Sequence, residues 1–354
     1  MRLFPPPHPS PLSELFHARV PKGEPWAWVL AQRILAAGSV ARRLLGESLS
    51  PGLAAWIDEE LLGLRRELDH LRKQFPYADF GDREPSRAEA MALEVLLGGS
   101  SVDVQKLYRA HGYGVYVYHS AFVFDGQVRA VEKPDPACFD DLVGYTRQMA
   151  MLRANIERFL AGKPAVPMLL YGARGSGKST SVKALRTQYA DCGLRLVEVL
   201  SEGLEQLPSL MEELAPLPFR FVLFMDDLAF SEGDERFHRM KVLLEGAVYQ
   251  RPANVLVVAT SNRRNLVSQH WLERPDPNAS DPASWDTLQD KLALADRFGL
   301  VITFPPFDQQ LYLEAVAHLL GGELDPQTRT AALQFALEGR GFSGRTARHF
   351  ANQQ

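Results

Sequence analysis

The chain is poor in cysteine. Cys138 and Cys192 are the only two in 354 residues, far apart and without a CxxC spacing or a histidine-rich tract beside them, which excludes a disulfide framework and a zinc site of recognisable spacing. A reducing cytoplasm is the expected compartment. Neither sign of charge dominates: 39 Lys and Arg against 43 Asp and Glu leave a net charge of −4. A basic nucleic-acid coat and an acidic tail are therefore both excluded as the main feature, and contact with nucleic acid would need a local basic patch. No uncharged apolar run approaches the ~18 residues of a membrane span, and the opening Met1-Arg2-Leu3-Phe4-Pro5-Pro6-Pro7 lacks the apolar region of a secretory signal. Internal repeats are absent.

What is present is a globular composition, 46% hydrophobic and 23% charged, on a length that suggests two to three domains at about 150 residues each. A Pro-rich arm occupies residues 1–24. Residues 26–46, 51–75, 86–97 and 102–111 carry apolar side chains at helical spacing, with Pro51 suited to open its helix. The second of these alternates Asp58-Glu59-Glu60, Arg65-Arg66-Glu67 and Arg72-Lys73, which makes either an interaction surface or a solvated helix face. The period then changes to that of strands at Gly114–Tyr118, Ala121–Phe124 and Gln127–Val131, with Asp125-Gly126 as a hairpin signal. The aromatic stripe here reads as core. Residues 25–137 thus form a mainly helical N-terminal region ending in a β-hairpin, and Pro134-Asp135-Pro136 leads into a second unit.

From Phe139 onward strand and helix alternate, which demands a parallel α/β sheet with right-handed crossovers. Five buried strands are expected, at residues 166–171, 194–199, 220–225, 254–260 and 300–304. After Pro305-Pro306 only helical patterns remain. The expected domains are residues 138–305 for the α/β unit and 306–354 for the helical part.

The chemistry is concentrated in that second unit. Gly172-Ala173-Arg174-Gly175-Ser176-Gly177-Lys178-Ser179-Thr180 contains a complete G-x-x-x-x-G-K-S phosphate loop, preceded by a strand and opening a helix, the context that such a motif requires. Its glycines let consecutive backbone N–H groups curl round a β-phosphate; Lys178 reaches the β and γ oxygens, and the Ser179 hydroxyl coordinates Mg²⁺. ATP and Mg²⁺ are the implied ligands. Phe221-Val222-Leu223-Phe224-Met225-Asp226-Asp227 ends an apolar strand in two carboxylates. Asp226 is the second magnesium ligand. Asp227 is either the base for the attacking water or a cap for the following helix, and Glu232 is a poorer candidate for the base.

This arrangement resembles the AAA+ ATPases over residues 139–354, and in particular an uncharacterised bacterial AAA+ family distantly similar to replication initiators and to helicase or transposase loaders. The stretches that carry the likeness are Leu169–Gly175, Met225–Leu228, Ala259-Thr260-Ser261-Asn262-Arg263-Arg264, Ala295-Asp296-Arg297-Phe298-Gly299-Leu300 and Ser343–Arg348. The resemblance implies a five-stranded parallel P-loop sheet with a C-terminal helical lid. It implies Asn262 as the sensor that orients the lytic water, with ordinary turn chemistry as the alternative. It implies Arg297 as an arginine finger projected into a neighbouring subunit, hence a homo-oligomer, with an intrachain ion pair as the alternative. Arg345 falls at the lid's phosphate-sensing position, and Arg348 one turn on could replace it. Leu142-Val143-Gly144 resembles an adenine-lining segment, with simple linker packing as the alternative. Arg263-Arg264 can sense nucleotide, meet a neighbouring subunit or touch nucleic acid, and residues 273–285 read as an insertion.

Two functions remain open on these residues: an ATPase that remodels or loads a protein client or nucleic acid, and a nucleotide-dependent binding switch or scaffold with negligible turnover. A P-loop kinase is a third and weaker option, because Asn262 and the lid argue against it.

Overall fold

A computed structural model of the chain describes residues 31–32, 34–36, 38–46, 48–74, 85–228, 240, 251–262, 297–338 and 341–354. Contacts divide it into two units, Met1–His119 with Pro216–Phe219, and Ser120–Ala215 with Arg220–Gln354.

The first unit is helical because its apolar residues recur every three to four positions. Among the described residues its helices include α1 (Gly38–Gly46), α2 (Pro51–Gln74), α3 (Arg87–Gly98), α4 (Ser101–His111) and the short α5 (Val115–Tyr118). Leu35, Leu44, Ile57, Leu68, Leu96, Leu107 and Tyr108 are buried. Burial of one such side chain contributes about 1.5–3 kcal/mol. Polar side chains tie the helices together. Asp58 accepts the Ser101 N–H at 2.6 Å, and the Arg65 guanidinium donates to the carbonyls of Val95, Leu96 and Gly99 at the C-terminal end of α3. Two charges of α2 are therefore helix clips, where sequence periodicity suggested a solvated face or an interaction surface. Ser86 and Glu89 form a capping box at the start of α3.

One expected strand is a helix. Gly114–Tyr118 alternates like a strand, but Gly112 and Gly114 take φ of 71° and 64°, Gly114 N–H donates to the Leu35 carbonyl at 2.7 Å, and residues 115–118 close into α5 with Tyr116 buried. Tertiary packing here overrides the β preference of Val and Tyr.

The second unit is built on one sheet. Its strands are β1 (Ala121–Phe124), β2 (Val128–Ala130), β3 (Met168–Gly172), β4 (Leu194–Val199), β5 (Arg220–Met225), β6 (Val255–Ser261) and β7 (Leu300–Phe304), in spatial order β2-β1-β4-β5-β6-β3-β7. The five expected strands are all found, and β3 to β7 run parallel. Their near-continuous apolar runs suit strands covered on both faces. Helix α6 (Thr146–Leu160) precedes β3, α7 (Lys178–Tyr189) connects β3 to β4, and α8 (Leu207–Leu214) connects β4 to β5.

The sheet has seven strands rather than five. The hairpin, expected to end the N-terminal region, pairs with the sheet: β1 lies parallel to β4 with Phe122 opposite Val197, and β2 antiparallel to β1. This covers the backbone edge of β4, which would otherwise be open for pairing, and buries Phe122 and Phe124. Phe124 pairs with Val128, so the loop is Asp125-Gly126-Gln127, one residue longer than the tightest hairpin turn. Asp135 is held by α7 through Lys183 at 3.5 Å and through Arg186, which donates to its carbonyl.

After β7 the chain forms the lid, α9 (Gln309–Leu320), α10 (Pro326–Leu337) and α11 (Gly344–Ala351), around Tyr312, Val316, Ala332, Ala347 and Phe350. Among the described residues no helix is long and apolar enough to cross a membrane.

Candidate functional site

In a parallel sheet all C-terminal strand ends meet on one edge, and that edge is where ligands bind. Here it gathers the phosphate loop after β3, the carboxylates after β5, Asn262 after β6 and the start of the lid after β7.

The loop's shape depends on glycine. Gly172 has φ 150°, and a Cβ added there would lie 1.9 Å from the Phe304 carbonyl oxygen. Gly175 and Gly177 take φ of 73° and 88°, which L side chains rarely adopt. These turns leave the backbone curled at the N-terminus of α7, where N–H groups and the helix dipole favour an anion. Ser176 Oγ steadies the curl by donating to the Ala173 carbonyl at 2.8 Å.

Lys178, the first residue of α7, is 6% exposed. Its ammonium donates to the Gly172 carbonyl at 3.0 Å, the Ala173 carbonyl at 2.8 Å and Asn262 Oδ1 at 3.0 Å. Those bonds account for all three of its protons. Burial holds its pKa below the ordinary lysine value; Asp227 and Asp226 oppose that shift, while Arg174 and Arg345 add to it.

Opposite the loop, Asp226 Oδ1 accepts Ser179 Oγ at 2.6 Å, Thr260 Oγ1 at 2.5 Å and the Asp227 N–H at 3.1 Å. Asp227 itself has φ 50°, a left-handed conformation that costs a non-glycine residue about 1 kcal/mol. Its N–H also donates to Thr260 Oγ1 at 2.9 Å, and the next N–H, of Leu228, to the Thr260 carbonyl at 2.7 Å. The side-chain amide of Asn262 donates to Asp227 Oδ1 at 2.5 Å. A continuous polar chain thus runs from Lys178 through Asn262 to Asp227.

These groups line a cavity of about 620 Å³. Residues 174–180 form one wall, Asp226, Asp227, Thr260 and Asn262 another, and Leu142, Val143, Phe307, Ala315 and Leu319 an apolar end. Arg345 and Arg348 of the lid also reach it. α11 is docked on the loop by the Gly344 N–H, which donates to the Gly175 carbonyl at 3.0 Å. Ser343 caps the helix by accepting the Thr346 N–H at 3.1 Å.

The cavity fits the expected ligands. The loop glycines occupy space that side chains would fill, Lys178, Arg174, Arg345 and Arg348 supply positive charge for phosphates, and Ser179 with Asp226 offers the hard oxygen donors that magnesium takes. Magnesium of this kind is held by one or two carboxylates together with substrate phosphates. Among the described residues no group of three or more His, Cys, Asp or Glu side chains forms a cation cage.

Not every expected residue lies here. Gly144 is absent from the cavity wall. Its φ is 75°, and a Cβ there would meet Leu311 Cδ1 at 2.5 Å, so its role is the close approach of α9. The neighbouring Tyr145 is also left-handed, φ 54°; it stacks near Phe304 and Phe307 with ring centroids 5.0 and 5.7 Å away and donates its hydroxyl to the Pro305 carbonyl. Burial pushes that hydroxyl up to about 12, with Asp308 adding to the shift. Arg297 is half-buried and does not line the cavity. It precedes β7, whose last residue Phe304 pairs with Gly172. The four steps of β7 alone separate it from the loop by about 13 Å. Glu232, Arg263, Arg264 and residues 273–285 lie outside the described residues.

Thr260, Asp141, Phe307, Ala315 and Leu319 line the site without having been singled out from sequence. Thr260 is signalled only by register: Met225 pairs with Ala259, which brings the next residues, Asp226 and Thr260, side by side.

The sequence profile of a family described as "Protein of unknown function (DUF815)" matches residues 115–354. No curated protein matches the chain significantly. Solved structures of Thermotoga maritima RuvB align with it. That of the Holliday junction branch migration motor does so with TM-score 0.35 and 13% identity over 62% of this chain and 72% of that one. Two substituted forms of the same protein align with TM-scores of 0.35 and 0.36, at 12% identity over the same shares.

Proposed function

The chain belongs to the DUF815 family, and we propose from its site that it binds ATP with Mg²⁺ and hydrolyses it as an AAA+ ATPase. The cycle would drive conformational change of an oligomer, or the remodelling or loading of a partner. The observation that carries this reading is the convergence of Lys178, Asp226, Asp227 and Asn262 on one cavity through direct hydrogen bonds.

Each residue then has a task. Lys178 exchanges the Gly172 and Ala173 carbonyls for β and γ phosphate oxygens. Ser179 and Asp226 would hold Mg²⁺, whose charge would offset that of the phosphate oxygens. Asp227 Oδ1 is engaged by Asn262, so its other oxygen is the one to accept a proton from the attacking water, and Asn262 fixes the carboxylate's direction. Arg345, or Arg348 one turn on, bonds phosphate from the lid. Val143 with Leu142 contacts the base. Arg297 acts in trans, because its position at the far end of β7 keeps it from its own loop; a homo-oligomer follows. A soluble, cytoplasmic protein with an unidentified protein or nucleic-acid client is consistent with the composition.

A second reading, a nucleotide-dependent switch with negligible turnover, draws support from the Asn262 amide that holds Asp227 and from aspartate at a position where the longer glutamate reaches further. Phosphate release distinguishes the two. Purified protein should turn over within the usual enzyme range of about 1 s⁻¹ or faster, and Lys178→Ala and Asp226→Ala should each abolish release. Unchanged release in either variant would reject the ATPase reading.

A further inference from the structure

Thr260 is buried, 1% exposed, at the end of β6, and its hydroxyl has a single arrangement open to it. The oxygen accepts the Asp227 N–H at 2.9 Å; its proton therefore goes to Asp226 Oδ1 at 2.5 Å. With Ser179 Oγ and the Asp227 N–H on the same atom, Oδ1 of Asp226 receives three donors. Three donors on one oxygen fix the rotation of the carboxylate. The same hydroxyl, together with the Thr260 carbonyl that accepts Leu228 N–H, braces the left-handed turn at Asp227 from which the proposed base projects.

We infer that Thr260 is a positioning residue for the magnesium side of the site: it orients Asp226 toward the metal and holds the Asp227 turn in place, without touching nucleotide. The inference rests on the ATP and magnesium reading above. Ser179 and Asp226 are the donors themselves, whereas Thr260 supports them from the next strand, and partners of this outer kind change metal affinity without forming a metal bond.

The test compares wild type, Thr260→Val and Thr260→Ser by calorimetric ATP titration, in EDTA and over a series of MgCl₂ concentrations, with thermal melting of each. Valine keeps the branched shape and leaves the Asp227 N–H its bond to Asp226. In Thr260→Val the Mg²⁺ concentration giving half-maximal ATP binding should rise by about tenfold or more, the range of outer-shell losses, while affinity in EDTA stays at the wild-type value. Thr260→Ser, which restores the hydroxyl, should return the Mg²⁺ midpoint toward wild type. An unchanged midpoint in Thr260→Val overturns the inference. So does an equal loss in Thr260→Val and Thr260→Ser, or a loss in EDTA that parallels a lowered melting temperature, because either would mean that Thr260 acts by packing. Failure of the underlying reading looks different: wild type itself would bind ATP no better with Mg²⁺ than with EDTA.

Discussion

Removing the cap of α11 with Ser343→Ala should loosen the two lid arginines without altering any group in the phosphate loop. The Ser343 side chain accepts the Thr346 N–H at 3.1 Å, and loss of such a cap costs about 1 kcal/mol. α11 has only eight residues, too few to hold a helix in water without its contacts. Its ties are the buried Thr346, Ala347 and Phe350 and the single bond from Gly344 to Gly175. A loss of ~1 kcal/mol raises the frayed population about fivefold, given a factor of ten per 1.4 kcal/mol. Arg345 and Arg348 are exposed trypsin sites on this helix, and cleavage follows the open population when opening is fast. Limited trypsinolysis read by mass spectrometry should therefore show cleavage after these arginines about fivefold faster in Ser343→Ala. Ser343→Thr, which can still cap, should remain near wild type. Saturating ATP should slow both if the arginines hold phosphate. Equal cleavage rates in Ser343→Ala and wild type would refute the capping argument. An ATP-independent rate would refute the phosphate contact of the arginines.

Two further outcomes are expected. Arg297→Ala should bind ATP with wild-type affinity by calorimetry yet depress hydrolysis when mixed with wild-type subunits, and loss of ATP binding would contradict a role in trans. Asp103 is held at about 2 by the Ser100 backbone N–H first, then by Lys106 and the Ser100 hydroxyl. Its folded value lies below the unfolded 3.8, so its stabilisation of the α4 N-terminus is present above that pH and lost as pH falls through about 2. The urea midpoints of wild type and Asp103→Asn should differ at pH 5 and converge toward pH 2; a constant gap would show that the charge is not involved.

The parts of this molecule that could be read from sequence are those encoded over short stretches. Gly172 to Thr180 is a contiguous motif, and its glycines take the turns that the motif requires. The strands β3 to β7 are mostly apolar runs, so their existence and parallel direction were legible. Asp226 and Asp227 stand out by ending an apolar strand, and Asn262 by the stretch that carries the family resemblance. What escaped depends on distant partners. Val115–Tyr118 alternates like a strand, and only the left-handed glycines before it and the burial of Tyr116 turn it into a helix. The hairpin was visible, but not that β4 would accept it as a neighbour. Arg65 looks like one surface charge among several until Val95 and Leu96 present their carbonyls to it. Thr260 gains its meaning from the β5–β6 register, and Gly144 from Leu311, which lies far from it along the chain.

The pairing of β1 with β4 bears on how this protein can be dissected. A fragment begun at Phe139, where the nucleotide motifs suggest a natural start, would leave four consecutive backbone positions of β4 unpaired, from Leu196 to Val199, and would strip Phe122 and Phe124 from the apolar surface they cover. A bare parallel edge of that kind invites a second molecule to supply the missing strand. Self-association of such a fragment would then report a severed sheet and not the contact that Arg297 is proposed to make, so any measurement of assembly has to begin from a chain that keeps Ala121–Ala130.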